Sequence, residues 1–542
     1  MVTVQVAIEV RAIGQRTRSG EVTLRDISLT VGHGELVAII GGSGSGKTTL
    51  LDAMSGLRPP SSGAVRRIHR NIGYVANGET IHGILPLARA LRYRAALRGM
   101  PASQGAAEEA LRIAGLAGMA TARVAGLDAG QRRRAAIAAG LLAAPALLLL
   151  EEPAAGLDLA QSTEVMRLLR RLCDGGTTVV LTTSSPLDAA RCDKIAVLAT
   201  GGHLAFFGTA EAACGYFGAD SLDEIYERLA GLGDPATAWS RRFFNFSVTG
   251  PGFTSSLTAA PPPGHAYLVP DSAGPHSAGR PSTEPLSDHG GHGVSATVAE
   301  QAFADAHALD GTGMHARRAV PRMVRSARQS AVLTRRNADV LTRSRPALVA
   351  LAAAPVAVLL AFAALFCLGA FDPARPGSAF WVVLGGFLVG VAYGLPQVHY
   401  EAGALRAERF SGLSCAAYVL AKAAVLIPVL AVGDAVIVAM PGLLGRPAGG
   451  GYGSAFVTAL LSSVAAVALG LLLSAAMPAT PWVLAAVAAG LPSILLSAAL
   501  LALLDRPIWG DWLMLAVLAA VLLTATAILI ARRAPQIPAA SR

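Results

Sequence analysis

Cysteine is scarce in this 542-residue sequence: five residues, none in a C-x-x-C spacing. An odd count without that spacing argues against a disulfide framework or a zinc site and leaves reduced thiols as the default. Charge is scarce too, at 15% of residues against 53% apolar ones. Such a chain is too apolar to be disordered and too poor in charge for an all-soluble enzyme. Acidic residues are the rarer sign, 35 against 45 basic ones. The surplus points to nucleic acid, an anionic membrane surface or a nucleotide. Between residues 451 and 504 there is no charged residue at all. The first twenty residues hold no long apolar run and no small-residue cleavage site, so the N-terminal part is expected in the cytosol.

What is present falls into regions. Residues 1–246 alternate short apolar runs with helix-forming stretches. Leu36–Ile40, Leu147–Leu150 and Val179–Leu181 read as buried parallel strands, which gives an α/β domain. Residues 247–297 are rich in Gly, Pro, Ser and His and read as a flexible linker. Its four histidines are irregularly spaced and lack a cysteine partner, which argues against a metal site. Residues 298–346 form a basic connecting region. Within it Val320, Met323, Val324, Ala327, Ala331, Thr334, Ala338 and Leu341 recur on one helical face, as in an interfacial helix.

From 347 to 533 the chain reads as an all-α membrane domain, followed by a tail, 534–542. Six stretches reach the ~20 apolar residues a bilayer demands: roughly 347–368, 379–397, 414–441, 454–476, 481–504 and 511–531. Nine arginines and one acid, Asp339, precede the first span. Arg406 and Arg409 follow the second, and Arg532, Arg533 and Arg542 close the chain. All lie on one side of a six-span arrangement, which the positive-inside rule makes cytosolic. The net charge thereby speaks for membrane orientation and against nucleic acid. Lys422, near the start of span three, is expected to snorkel to the interface. Asp434 is the one ionisable residue in mid-span. It reads either as a cavity-facing substrate or proton site, or as a helix-end or intersubunit hydrogen-bonding group.

Two motifs carry chemistry. Gly41-Gly42-Ser43-Gly44-Ser45-Gly46-Lys47-Thr48, running into Thr49, matches G-x-x-x-x-G-K-[ST] between a strand and a helix. Glycines let backbone N–H groups wrap phosphates, Lys47 reaches the terminal phosphates, and the Thr48 hydroxyl takes Mg2+. The strand Leu147–Leu150 ends in Glu151 and Glu152. Beside a P-loop, Glu151 suits the Mg2+ shell and Glu152 suits the base that polarises the attacking water.

The order of these motifs, with Gly73-Tyr74-Val75, Leu127-Asp128-Ala129-Gly130-Gln131 and Gly156-Leu157-Asp158 between and after them, resembles an ABC-transporter nucleotide-binding domain. The Phe206-Phe207-Gly208 turn and the N-terminal ATPase fused to six spans resemble the ABCG/White-like type, in its fused actinobacterial form. Glu401–Lys422 is similar to that family's coupling segment. The resemblance implies an ATP- and Mg2+-dependent half-transporter in the plasma membrane, with its ATPase domain and both termini cytosolic. It would pair as a homodimer or with another half-transporter to export an unknown lipophilic substrate. It also assigns roles: Asn77 to the Q-loop position, also reaching Mg2+, Leu127–Gln131 to the signature, Asp158 to the D-loop and Ser184 to the switch position. Several of these depart from the family pattern. Asn77 is shorter than glutamine, Asp128 replaces the signature serine, Ala129 replaces a glycine, Glu151 replaces aspartate and Ser184 replaces histidine. A carboxylate at 128 facing a γ-phosphate held by the opposite subunit is electrostatically unfavourable. Two functions follow: an ATP-driven exporter, or a weakly hydrolysing regulatory subunit or silent half of a heterodimer.

Overall fold

A computed structural model describes residues 5–17, 20–69, 71–78, 81–100, 103–230, 241–243, 322–368, 378–398, 401–410, 412–443, 452–476 and 508–533. The linker 247–297, the start of the connecting region, the fifth expected span and the tail lie outside these residues.

The N-terminal domain is built on one nine-stranded sheet. Its strands are β1 (Val6–Arg16), β2 (Val22–Gly32), β3 (Leu36–Gly41), β4 (Ser62–Arg67), β5 (Ile72–Val75), β6 (Leu147–Glu151), β7 (Thr178–Thr182), β8 (Lys194–Ala199) and β9 (His203–Gly208). Their order is β4-β1-β2-β9-β8-β3-β7-β6-β5. β8, β3, β7, β6 and β5 run parallel, while β1, β2 and β4 pair antiparallel at one edge. Both faces of the parallel part are covered, so its strands read as unbroken apolar runs. Leu147 to Leu150 are fully buried, each worth roughly 1.5–3 kcal/mol of apolar transfer. The α/β expectation is met.

The helices that carry the argument are α1 (Lys47–Ser55), α2 (Leu87–Leu97), α3 (Ala129–Leu141), α4 (Leu159–Asp174), α5 (Arg322–Arg343), α6 (Arg345–Cys367), α7 (Ser378–Gly394), α8 (Ala402–Phe410), α9 (Cys415–Leu443), α10 (Tyr452–Ala476) and α11 (Ile508–Arg533). Among the described residues four segments are long and apolar enough to cross a membrane: Arg345–Ala364, Cys415–Ala439, Tyr452–Ala476 and Trp512–Arg532. These match the expected first, third, fourth and sixth spans. The second, α7, has 17 residues and stops before Pro396, whose ring and missing N–H end a helix.

Small residues let α7 and α10 approach closely. A Cβ on Gly394 would sit 2.6 Å from the Val467 carbonyl oxygen, and one on Gly386 would sit 2.7 Å from Ser463 Oγ. Gly386, Gly390 and Gly394 recur every four residues, the small-residue spacing of packed membrane helices.

One face of α5 differs from the solvated surface that an interfacial helix implies. Its apolar face, with Met323 and Ala327, is exposed as expected. The opposite face is buried rather than solvated, and Gln329, Arg336 and Asp339 find partners there. Gln329 donates to Leu97 O at 3.4 Å and to Gly412 O at 3.2 Å. Asp339 accepts from Arg89 at 2.8 Å and from the Tyr93 hydroxyl at 2.7 Å. Arg336, 2% exposed, pairs with Glu408 of α8. α5 is thus clamped between α2 of the N-terminal domain and α8 and α9. Lys422 likewise does not snorkel. It is buried and donates to Glu401 Oε1 at 2.6 Å, a nearer partner than interfacial water. Burial by itself would raise the Glu401 carboxyl, but the charges of Lys422 and Arg336 reverse this and hold it at about 2. Burial pushes the neighbouring His82 down to about 3, so this imidazole is neutral.

Candidate functional site

The register of the parallel strands assembles the site. Val75 lies opposite Leu150, and Glu151 opposite Thr182. The loops after β3, β5, β6 and β7 therefore open at one edge, where ligands of open α/β sheets bind.

The loop Gly41–Gly46 joins β3 to α1. Gly46 takes φ +96°, and a Cβ there would meet Thr23 O at 2.7 Å. Only glycine fits such a turn. Gly46 provides no side-chain cap, so the N–H groups of the first turn of α1 stay available for an anion. Ser43 and Gly44 are exposed, Gly42 is exposed beside them, and Ser45 is buried beneath. Thr49 is half-buried in the first turn of α1. Lys47 Nζ donates to the carbonyls of Gly41 at 2.8 Å and Gly42 at 3.1 Å. Burial lowers its ammonium from the usual range, and the Glu152 charge opposes that.

Four further residues gather around the two acids. Thr48 Oγ1 donates to Glu151 Oε1 at 3.0 Å, and the Asn77 N–H donates to Glu151 Oε2 at 3.1 Å. Glu152 sits at φ +45°, a conformation rare outside glycine. Its N–H donates to Thr182 O at 3.1 Å and Thr182 Oγ1 at 3.0 Å, which hold it there. Ser184 N–H and Oγ–H donate to Glu152 Oε2 at 3.1 and 3.3 Å. The structure thereby brings Lys47, Thr48, Asn77, Glu151, Glu152 and Ser184 to one place.

A hydroxyl and a carboxylate 3.0 Å apart are hard oxygen donors and fit Mg2+, which takes few protein ligands and completes its shell with phosphate and water. Among the described residues no three His, Cys, Asp or Glu cluster as an all-protein metal cage.

The signature and D-loop positions are placed elsewhere. Leu127 is buried. Asp128 is the N-cap of α3: its Oδ1 accepts from Gln131 N–H at 2.7 Å, while Gln131 Oε1 accepts from Asp128 N–H at 3.1 Å. Ala129 and Gly130 form the first helical turn, where Gly130 packs against Gln161. Asp158 caps α4 in the same way, accepting from Gln161 N–H at 2.8 Å. A cavity of about 250 Å³ lies between these loops and the Asn77 loop, lined by Gly78, Ala129, Arg133 and Gly156 among others.

Sequence reasoning missed two contributors. Thr182 fixes the Glu152 backbone, and Arg133 Nη2 donates to Asn77 Oδ1 at 3.3 Å. The signal for Arg133 was the triplet Arg132–Arg134, which reads as a nucleic-acid patch or as the start of a helix.

Asp434 of α9 is 0% exposed and accepts from Ser463 Oγ of α10 at 2.9 Å. It is neither at a helix end nor facing open space: it bridges two helices of the same chain.

Residues 24–155 match the family described as ABC transporter, and residues 328–530 the family described as ABC-2 type transporter. Over 264 residues the chain is 36% identical to an ABC transporter ATP-binding/permease protein of Mycobacterium tuberculosis, a match covering 46% of this chain and 29% of that one. It is 35% identical over 208 residues to a zinc import ATP-binding protein of Chelativorans sp., covering 38% of this chain and 72% of the other. It is 35% identical over 217 residues to ATP-binding cassette sub-family G member 5 of Homo sapiens, covering 36% and 33%. The chain therefore spans about a third or less of the mycobacterial and human relatives' own length.

Proposed function

The chain belongs to the ABC transporters, with the ATPase part fused ahead of an ABC-2 type membrane part, and on that premise we propose that it is an ATP-driven half-transporter. The observation that carries this reading is the gathering of Lys47, Thr48, Glu151 and Glu152 at the end of one sheet, in a chain with four membrane-length helices. The proposal includes a dimer, because Asp128 and Asp158 engage their carboxylates in capping α3 and α4 of their own chain. A second subunit, identical or not, would bring its signature to the phosphates.

In this reading the glycine loop and the first turn of α1 hold the phosphate tail, and Lys47 leaves its carbonyl partners for the terminal phosphates. Thr48 and Glu151 hold Mg2+, which when bound neutralises developing phosphate charge. Glu152 takes a proton from water as its oxygen bonds to the γ-phosphorus and the bond to the bridging oxygen breaks, releasing ADP and phosphate. Ser184 orients Glu152 where a histidine would otherwise act. The ATPase part and both termini face the cytosol, on the side marked by the arginine clusters. The clamp formed by α2, α5, α8 and α9 carries movement into the membrane helices. The cargo is a lipophilic compound, proposed by analogy with the transporter type resembled.

Proteoliposomes test this. ATP-dependent movement of a fluorescent phospholipid or lipophilic dye is expected with the native protein and lost in Lys47→Ala. Equal movement in both would refute it. The capping role of Asp128 and the loss of a switch histidine favour a second reading, a weakly hydrolysing subunit of a heterodimer. It predicts transport only when a second half-transporter is supplied.

A further inference from the structure

The three consecutive arginines of α3 point three ways, as residues about 100° apart on a helix must. Arg132 Nη1 folds back on Leu127 O at 2.5 Å. Arg134 Nη2 pairs with Glu164 of α4 at 3.5 Å. Arg133 turns toward the nucleotide site and donates to the Asn77 side-chain carbonyl at 3.3 Å.

Asn77 passes the contact on. The same residue's N–H donates to Glu151 Oε2 at 3.1 Å, and Glu151 Oε1 accepts from Thr48 at 3.0 Å. Three hydrogen bonds thus run from α3 to the start of α1 through the carboxylate suited to Mg2+. Burial lowers the Arg133 guanidinium from its usual range, while the charges of Glu152 and Glu151 oppose that, so both acids lie within its field.

We propose that Arg133 is a positioning residue of the nucleotide site, setting the orientation of Glu151 through the Asn77 amide. The proposal rests on the ATPase reading above. Asn77 is one methylene shorter than glutamine, and its carbonyl oxygen is occupied by Arg133. Its contribution to the metal site therefore passes through its backbone N–H. The helix that begins with Asp128 and Ala129 is by this route tied to the metal carboxylate of its own subunit.

The test uses full-length protein and a fluorescent ATP analogue, with binding followed as Mg2+ is titrated. Arg133→Gln and Asn77→Ala should each raise the Mg2+ concentration at half-saturation by about five-fold, the worth of one hydrogen bond. The double variant should be no worse than the poorer single one, because both remove the same link. Arg133→Lys, which keeps the charge and most of the packing, should fall between native and Arg133→Gln and guards against a folding defect. In ATPase assays kcat should drop about ten-fold in Arg133→Gln while KM for ATP stays within about two-fold. An unchanged Mg2+ midpoint, or multiplying effects in the double variant, overturns the proposal. A native protein that hydrolyses nothing, with the midpoint still shifted in the variants, defeats the ATPase reading and leaves this link standing. Lys47-dependent hydrolysis with an unshifted midpoint does the reverse.

Discussion

Asp128 shows how one side chain can answer an electrostatic objection. A carboxylate at the signature position repels phosphate, yet here its Oδ1 accepts from Gln131 N–H at the start of α3. A helix N-terminus carries about half a positive charge, so the anion sits where the macrodipole favours it. Asp128→Ala should cost about 1 kcal/mol of stability, read as a lower unfolding midpoint in denaturant, whereas Asp128→Ser should keep most of the cap. From sequence Asp128 reads only as a charge set against phosphate; its capping of α3 emerges with the helix start in the structure. The φ of +45° at Glu152 was not legible, because it depends on Thr182 arriving from a strand thirty residues away.

Among the elements, α5 departs most from its pattern. Its apolar face is easy to read, but the buried face holds Gln329, Arg336 and Asn337, which no hydrophobic periodicity marks. Partners on neighbouring elements explain Gln329 and Arg336, whereas the Asn337 amide is buried without a hydrogen-bond partner among the described residues. Arg336 is buried against Glu408, so removing one member leaves an uncompensated charge. Arg336→Met or Glu408→Leu alone should lose about 3–5 kcal/mol of stability, and the double variant should lose clearly less than either. Thermal unfolding of the purified proteins measures this. A double variant as poor as the sum of the singles would mean that the two residues act apart. Lys422 teaches the same lesson: from sequence a lysine at a span boundary snorkels, but a half-buried Glu401 2.6 Å away holds it inside.

Across the whole molecule, two scales of pattern were legible for different reasons. The sheet was readable because each buried strand is a local apolar run next to a motif with its own geometry. The long membrane helices were readable because length and hydropathy suffice. The joint between the domains was not, because it consists of single polar pairs such as Asp339 with Arg89 and Tyr93, separated by some 250 residues. In the proposed function this joint is what would link ATP chemistry at Glu152 to the membrane helices. Phosphate release by the full-length protein in lipid nanodiscs measures that chemistry most directly. The account predicts Mg2+-dependent release by the native protein, reduced about a hundred-fold or more in Glu152→Gln and lost in Lys47→Ala. The same rate in all three would contradict it.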